Sequence, residues 1–271
     1  MTTQNWKTHW ANIDQSGDPQ RYVGQMAAIR TQTEDTVISP FLRFCDPQLG
    51  ERVLDMGCGP GWHVRAASRI VGPAGRAVGV DISETMLVEA RQIAAARGLD
   101  VDFVQGSAYQ LPFEESSFDR CWSGGVTIIL DDPVRAVREM VRVTRPGGQI
   151  CLVEYHSEGV FIDPADEPMT RRLLHFIHEQ ELSHPAGYEM VSILKSLGTT
   201  ITKVEGMLDY FDDDFAFARA LWLDEWLVDA QAAGTLTSEE AGKWLADQET
   251  RASDGRFLLG FPGFLIKATR Q

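Results

Sequence analysis

A chain of 271 residues is long enough to bury one sizeable core with a modest appendage. Apolar residues make up 44% and charged residues 24%, the balance of a soluble globular protein. With 39 acidic against 25 basic residues the formal net charge is −14, which argues against a nucleic-acid footprint because phosphate binding needs a basic face.

Taken in order, residues 1–50 precede the expected core. Asp18-Pro19 reads as a helix start, after which Tyr22, Gln25, Met26 and Ile29 share one face. A second helical stretch is expected from about Thr33 to Phe44, with Pro47 ending it. Trp6, Trp10 and Tyr22 read as the packing of an N-terminal arm. The N-terminus, Met-Thr-Thr-Gln-Asn-Trp-Lys, has no signal pattern, and no stretch reaches the roughly 18 apolar residues of a membrane span, so the expectation is a cytoplasmic protein. Cys45, Cys58, Cys121 and Cys151 are scattered without a Cys-x-x-Cys pair and read as buried, reduced thiols.

Residues 51–61, Glu-Arg-Val-Leu-Asp-Met-Gly-Cys-Gly-Pro-Gly, organise the rest. Val53 and Leu54 read as a buried strand ending on Asp55. Gly57, Gly59 and Gly61 follow at alternate positions, and Val64, Ala67, Ser68 and Val71 then lie at the spacing of one helix face. A strand that runs through glycines into a helix offers free backbone N–H groups and a positive dipole end to a ligand. The dinucleotide fingerprint Gly-x-Gly-x-x-Gly fails in both registers, because its third glycine falls on Trp62 or on Val64. A carboxylate two residues before the first glycine suits a ligand with an ammonium group and repels a pyrophosphate.

This motif resembles Val-Leu-Asp-x-Gly-Cys-Gly-x-Gly of the class I S-adenosylmethionine-dependent methyltransferases, in particular the ubiquinone/menaquinone-biosynthesis-methyltransferase-like group. The resemblance is strong over residues 50–155. It implies an α/β fold, a doubly wound Rossmann-like sheet of seven mostly parallel strands whose last strand enters antiparallel at the sheet edge. It also implies S-adenosylmethionine as cofactor, with S-adenosylhomocysteine as product, and a cofactor site that includes Asp55, Gly57, Gly59, Gly61, Ile82, Met86 and Ser123.

Arg76 to Asp81 is the next short strand. Asp81 stands about 20 residues past Gly59, the offset at which an acid meets ribose hydroxyls, and a carboxylate accepts from both at once. A helix from about Ser83 to Ala96 stops at Gly98. Strand Val101–Val104 leads into Gly106-Ser107-Ala108-Tyr109-Gln110-Leu111-Pro112-Phe113. The family pattern here is Gly-Asp-Ala-x-x-Leu-Pro-Phe, in which the acid bonds the adenine amino group. Ser107 takes that place, so the contact is expected to be weaker or shared with the backbone of Ala108.

Arg120–Ser123 reads as strand four; in the resembled family the backbone after it approaches the methionine moiety and the transferred methyl, which the small residues Ser123, Gly124 and Gly125 permit. Where relatives carry a His pair this chain has Ile128-Ile129, so no base is offered there. Asp132-Pro133 starts a helix, and Arg145-Pro146-Gly147-Gly148 turns into strand five at Gln149–Val153. His156, after Val-Glu-Tyr, is the candidate general base at the carboxyl edge of the sheet, since imidazole titrates near working pH. Tyr22 is the second catalytic candidate, and Tyr155 a pocket candidate.

The last 110 residues depart from a minimal core. Helical stretches are expected at about 166–182 and 186–197, a strand at Thr200–Val204, a Trp-rich helical region at about 213–252 and a final strand from Arg256 to Ala268, broken or bulged at Pro262-Gly263. His175, His178 and His184 do not match zinc-hydrolase spacing, and no metal is assigned. Asp209, Asp212, Asp213 and Asp214 lack a calcium-loop pattern and read as a solvated helix start. Trp222, Trp226, Phe215 and Arg219 form one helical stripe, read first as packing.

The expected organisation is an N-terminal helical cap (1–50), a cofactor-binding core (51–155), and a remainder (156–271) whose inserted helices form a substrate lid. The expected partner is an uncharged, partly aromatic small-molecule acceptor, specialised or quinone-like, with no nucleic acid and a possible homodimer.

Overall fold

The structure, a computed structural model, describes residues 10–30, 40–163, 167–181 and 187–271. Trp6, His184 and the start of the helical stretch expected from Thr33 lie outside the described residues. Among the described residues, no helix is long and apolar enough to cross a membrane.

The first half alternates strand and helix as the periodicity predicts. Before the first strand come α1 (Pro19–Arg30) and the short α2 (Pro40–Cys45). Then follow β1 (Arg52–Met56), α3 (Trp62–Val71), β2 (Arg76–Asp81), α4 (Glu84–Ala96), β3 (Asp102–Gln105) and β4 (Phe118–Gly124). After them come α5 (Pro133–Val143) and β5 (Thr144–Tyr155). The helix starts are those that the side chains dictate. The Ser83 hydroxyl accepts from the Met86 N–H, and the Asp132 carboxylate accepts from the Arg135 N–H with Pro133 in the first turn.

The second half comprises β6 (Phe161–Ile162), α6 (Glu167–Phe176), α7 (Gly187–Ser196), β7 (Thr199–Phe211), α8 (Phe215–Ala218), α9 (Asp224–Ala232), α10 (Ser238–Ser253) and β8 (Leu259–Arg270). The main path of the sheet is β3-β2-β1-β4-β5-β8, and β7 pairs with β8 along nearly its whole length. Only β8 runs against the rest. Because β7 occupies one side of β8, β6 shares the other side with β5 and continues its line. The sheet thus has the expected seven positions plus one short extension. β8 sits one place in from the edge, with β7 outside it.

Both faces of the sheet are covered. Leu42, Val64, Ala67, Leu87 and Ala90 pack one face with Val53 and Trp122, while Ala136, Val137, Met140 and Leu194 pack the other with Leu54, Ile150 and Ile266. A third cluster joins α6, α9 and α10 around Trp226 and Trp244, and the Trp244 indole N–H donates to the Thr170 hydroxyl at 2.9 Å. All four cysteines are buried and free.

Two elements differ from expectation. The strand expected over five residues at Thr200–Val204 extends from Thr199 to Phe211. β8 runs unbroken through Pro262-Gly263, because Pro262 falls between the last partner of β5 (Tyr155 opposite Gly263) and the first of β6 (Phe161 opposite Gly260). The ladder there asks nothing of the missing N–H, and the Pro262 carbonyl accepts from His156 N–H at 2.8 Å. The irregularity lies in β7, between Ile201 and Lys203.

Candidate functional site

The site is built where β1, β2 and β4 end side by side. Gly57 (φ +73°) and Gly59 (φ +51°) take the left-handed backbone that L side chains avoid. A Cβ on Gly57 would stand 2.3 Å from Val126 Cγ2, so the turn closes on the loop after β4 only with glycine. Gly59 instead faces open space, and its N–H donates to Asp81 Oδ2 at 2.8 Å. The other Asp81 oxygen accepts from Ser83 N–H at 2.9 Å. The two strand ends are thereby locked together, and each Asp81 oxygen keeps a lone pair for a ligand.

Asp55 and Asp81 are both perturbed. Burial pushes the Asp55 carboxyl up to about 7, and the nearby Asp81 charge adds to the rise. Burial also raises Asp81, against the lowering effect of its backbone N–H donors. Among the described residues neither pairs with a Lys or Arg. A buried carboxylate at Asp55 and a half-buried one at Asp81, neither with a cation, beside a backbone approachable at Gly59, fit a ligand that carries an ammonium group and vicinal hydroxyls. The residues present therefore fit S-adenosylmethionine.

These groups open on a cavity of about 940 Å³, at the upper end of the ~300–1,000 Å³ range of ligand sites. Asp55, Gly57, Gly59, Asp81, Ile82, Met86, Ser107 and Ala108 all line it. The Ser107 hydroxyl accepts from Tyr109 N–H at 3.2 Å, and the Tyr109 hydroxyl accepts from Asp131 N–H at 2.9 Å, which fixes the loop after β3. Aromatic rings make up another part of the lining. Phe211 lies 5.1 Å from Trp222 between ring centroids, Trp222 lies 4.6 Å from Phe261, and Phe217 lies 5.4 Å from Phe211. The stripe read first as packing is divided: Trp222 and Trp226 both reach the wall, and Trp226 also anchors the helical cluster.

Four of the expected site residues are not on the cavity wall. Gly61 lies under the Phe103 ring, which a Cβ would meet at 2.5 Å. The Ser123 hydroxyl is buried and donates to the Met56 carbonyl at 3.0 Å, tying β4 to β1. Tyr22 is buried with Ile13 and Met86 and packs edge-on against Trp10 at 4.9 Å; burial pushes its hydroxyl up to about 12. His156 is engaged through its backbone with β8 and packs beside Gly159.

Other wall residues escaped the sequence reading. His63, at the start of α3, packs edge-on against Phe41 at 5.2 Å, and burial pushes its imidazole down to about 4, so it is neutral at physiological pH. Asp209 belongs to β7 and not to the helix start, and it accepts a 2.6 Å hydrogen bond from the Tyr155 hydroxyl. The helix-start role falls to Asp214, whose carboxylate accepts from Phe217 N–H. Asn12 and Ile13 enter the wall because Asp14 caps α4 from outside, accepting from the Ser83 hydroxyl at 2.6 Å and from Glu84 N–H at 2.7 Å.

Comparison with known proteins agrees with this geometry. Residues 54–152 match the family described as a methyltransferase domain. The demethylmenaquinone methyltransferase of Geobacillus kaustophilus is 41% identical over 121 residues, covering 44% of this chain and 52% of that protein. The ubiquinone/menaquinone biosynthesis C-methyltransferase UbiE of Bdellovibrio bacteriovorus is 29% identical over 183 residues, covering 66% of this chain and 74% of that protein. The chain thus spans about half the length of the demethylmenaquinone relatives it matches. Among solved structures, the [4+2]-cyclase SpnF superposes with a TM-score of 0.54 at 22% identity, over 85% of this chain and 78% of that one. Over residues 54–152 the chain matches a methyltransferase domain, and its fold is the mixed α/β fold of the solved structure it superposes on.

Proposed function

We propose that the protein transfers a methyl group from S-adenosylmethionine to an O, N or C atom of a small-molecule acceptor, a specialised or quinone-like metabolite. The observation that carries this reading is one cavity with two unlike walls, a glycine loop between uncompensated carboxylates and, elsewhere in the lining, a set of aromatic rings. The donor, when bound, supplies a sulfonium-activated methyl group for in-line displacement. Asp55 pairs with its ammonium group, Asp81 takes its ribose hydroxyls, and Ile82, Met86, Ser107 and Ala108 frame the base. The rings hold the acceptor and exclude water, and alignment of this kind contributes about 7–11 kcal/mol to such reactions.

In this reading the N-terminal segment and the inserted helices form a lid. The Gln25 side-chain amide donates to the Ala220 carbonyl, and Arg21 pairs with Glu225 at 3.0 Å, so the two halves of the lid hold each other. A second reading is a protein that binds the sulfonium without passing on its methyl. The fold shared with a [4+2]-cyclase supports keeping it.

Methyl-labelled donor incubated with a fractionated extract of the source organism tests both. Label in the organic-extractable fraction is expected. Label that stays in unchanged donor while a substrate is converted would favour the second reading, and label in protein or RNA would overturn the acceptor class.

A further inference from the structure

The acceptor side of the cavity holds a charge without a counter-ion. All five residues from Met207 to Phe211 of β7 touch the cavity, and Met207, Asp209 and Phe211 share one face of the strand. Asp209 stands opposite Phe261 in the β7–β8 ladder, and Phe261 in turn contacts Trp222. The ring nearest the carboxylate is that of its hydrogen-bond donor Tyr155, which packs edge-on against Phe261 at 6.3 Å. The carboxylate's hydrogen bond comes from the Tyr155 hydroxyl at 2.6 Å, and among the described residues no Lys or Arg pairs with it. Asp209 is exposed to solvent, yet the protein around it partly desolvates it and raises its pKa against the lowering effect of Tyr155.

The same imbalance runs through the whole chamber. Its described lining includes Asp55, Asp81, Asp131 and Asp209 and contains no Lys or Arg. A carboxylate or phosphate on the acceptor would meet only repulsion there. Aromatic faces beside a partnerless carboxylate are the donor set that recognises an organic ammonium. Asp55 presents that condition to the donor's ammonium group. Asp209 presents it a second time, from β7.

We propose that Asp209, held in place by Tyr155, and the surrounding rings form an acceptor subsite for an apolar amine bound as its ammonium ion. The proposal rests on the methyl-donor reading above and puts a cationic, specialised acceptor in place of the uncharged one expected from the sequence.

Three probes that share one ring system test it by calorimetry at pH 7.5: 2-naphthylmethylammonium, the neutral 2-naphthylmethanol and the anionic 2-naphthoate. Each is titrated into the full chain with and without S-adenosylhomocysteine. The ammonium is expected to bind about tenfold or more tightly than the alcohol, and the carboxylate more weakly than both. Asp209→Asn is expected to remove most of the ammonium's advantage while leaving alcohol affinity within about threefold. Alcohol binding equal to or tighter than the ammonium overturns the proposal in the wild-type protein alone, as does absence of ammonium binding. An advantage that survives Asp209→Asn overturns the role of Asp209. Failure of S-adenosylhomocysteine to bind strikes the donor reading instead, and the probe ratio still reports on the subsite.

Discussion

Asp55 and Glu154 are buried carboxyls whose protons are worth following separately. With its pKa near 7, Asp55 is partly protonated at neutral pH, and only its carboxylate pairs with an ammonium group. Binding the donor therefore has to displace a proton at low pH. Donor affinity is expected to be flat above about pH 7.5 and to fall by up to about tenfold per unit below pH 7, measured by calorimetry across that range. An affinity independent of pH between 5.5 and 8 would contradict the pairing. Glu154 lies behind the site at the end of β5, with both of its carboxyl oxygens 2.7 Å from the Thr127 hydroxyl. A neutral carboxyl fits this geometry, one oxygen accepting from the hydroxyl and the other donating its proton back. Burial pushes its pKa up to about 8, against the lowering effect of Thr127. The native state thus holds a proton that the unfolded chain releases near its ordinary value, so stability falls as pH rises from about 4.5 to 8. Glu154→Gln keeps the shape and removes the titration. It is expected to stabilise the protein at pH 8 by on the order of 1–3 kcal/mol relative to its effect at pH 5, read as the difference in thermal midpoint shifts.

Elements are held by caps supplied from nearby and from afar. Those written in adjacent residues, Ser83 for α4, Asp132-Pro133 for α5 and the Thr237–Glu240 capping box for α10, follow from local side-chain chemistry. The second cap of α4 comes from Asp14, 69 or more residues upstream, and no periodicity announces it. Burial works against its charge, but bonds from Ser83, Thr85 and Glu84 hold its carboxyl below the usual range. Asp14→Ala is expected to cost about 1 kcal/mol, or about 2–4 °C in thermal midpoint, and to weaken donor binding because Asn12 and Ile13 line the cavity. A variant with unchanged midpoint would show that the cap carries no stability. The strand–glycine–helix unit and its two acids were legible because each is a local pattern with one physical reading. β7 was legible only at its start. It is an exposed edge strand whose charged residues and Gly206 mask the alternation, and its hydrogen-bond partner lies in β8, some 60 residues on.

At the scale of the molecule, the chain builds a doubly wound sheet and then spends its two ends on enclosing one chamber. The glycine-loop wall of that chamber was readable from Asp55, Gly57, Gly59 and Asp81. The aromatic wall was not, because it assembles from β5, β7, β8 and inserted helices: Tyr155 meets Asp209 across 54 residues, and Phe261 meets Trp222. The same long-range assembly turned Tyr22 and His156, placed near the site by local pattern, away from the cavity wall. The account stands on the claim that the carboxylates at the ends of β1 and β2 hold the methyl donor. The most direct measurement is calorimetric titration of S-adenosylmethionine at pH 8 into the wild-type chain and into Asp81→Asn. Removing a half-buried charged acceptor is expected to weaken binding by about tenfold or more, with the thermal midpoint of the free protein showing that the variant is folded. A folded Asp81→Asn protein that binds the donor as tightly as wild type would contradict the account.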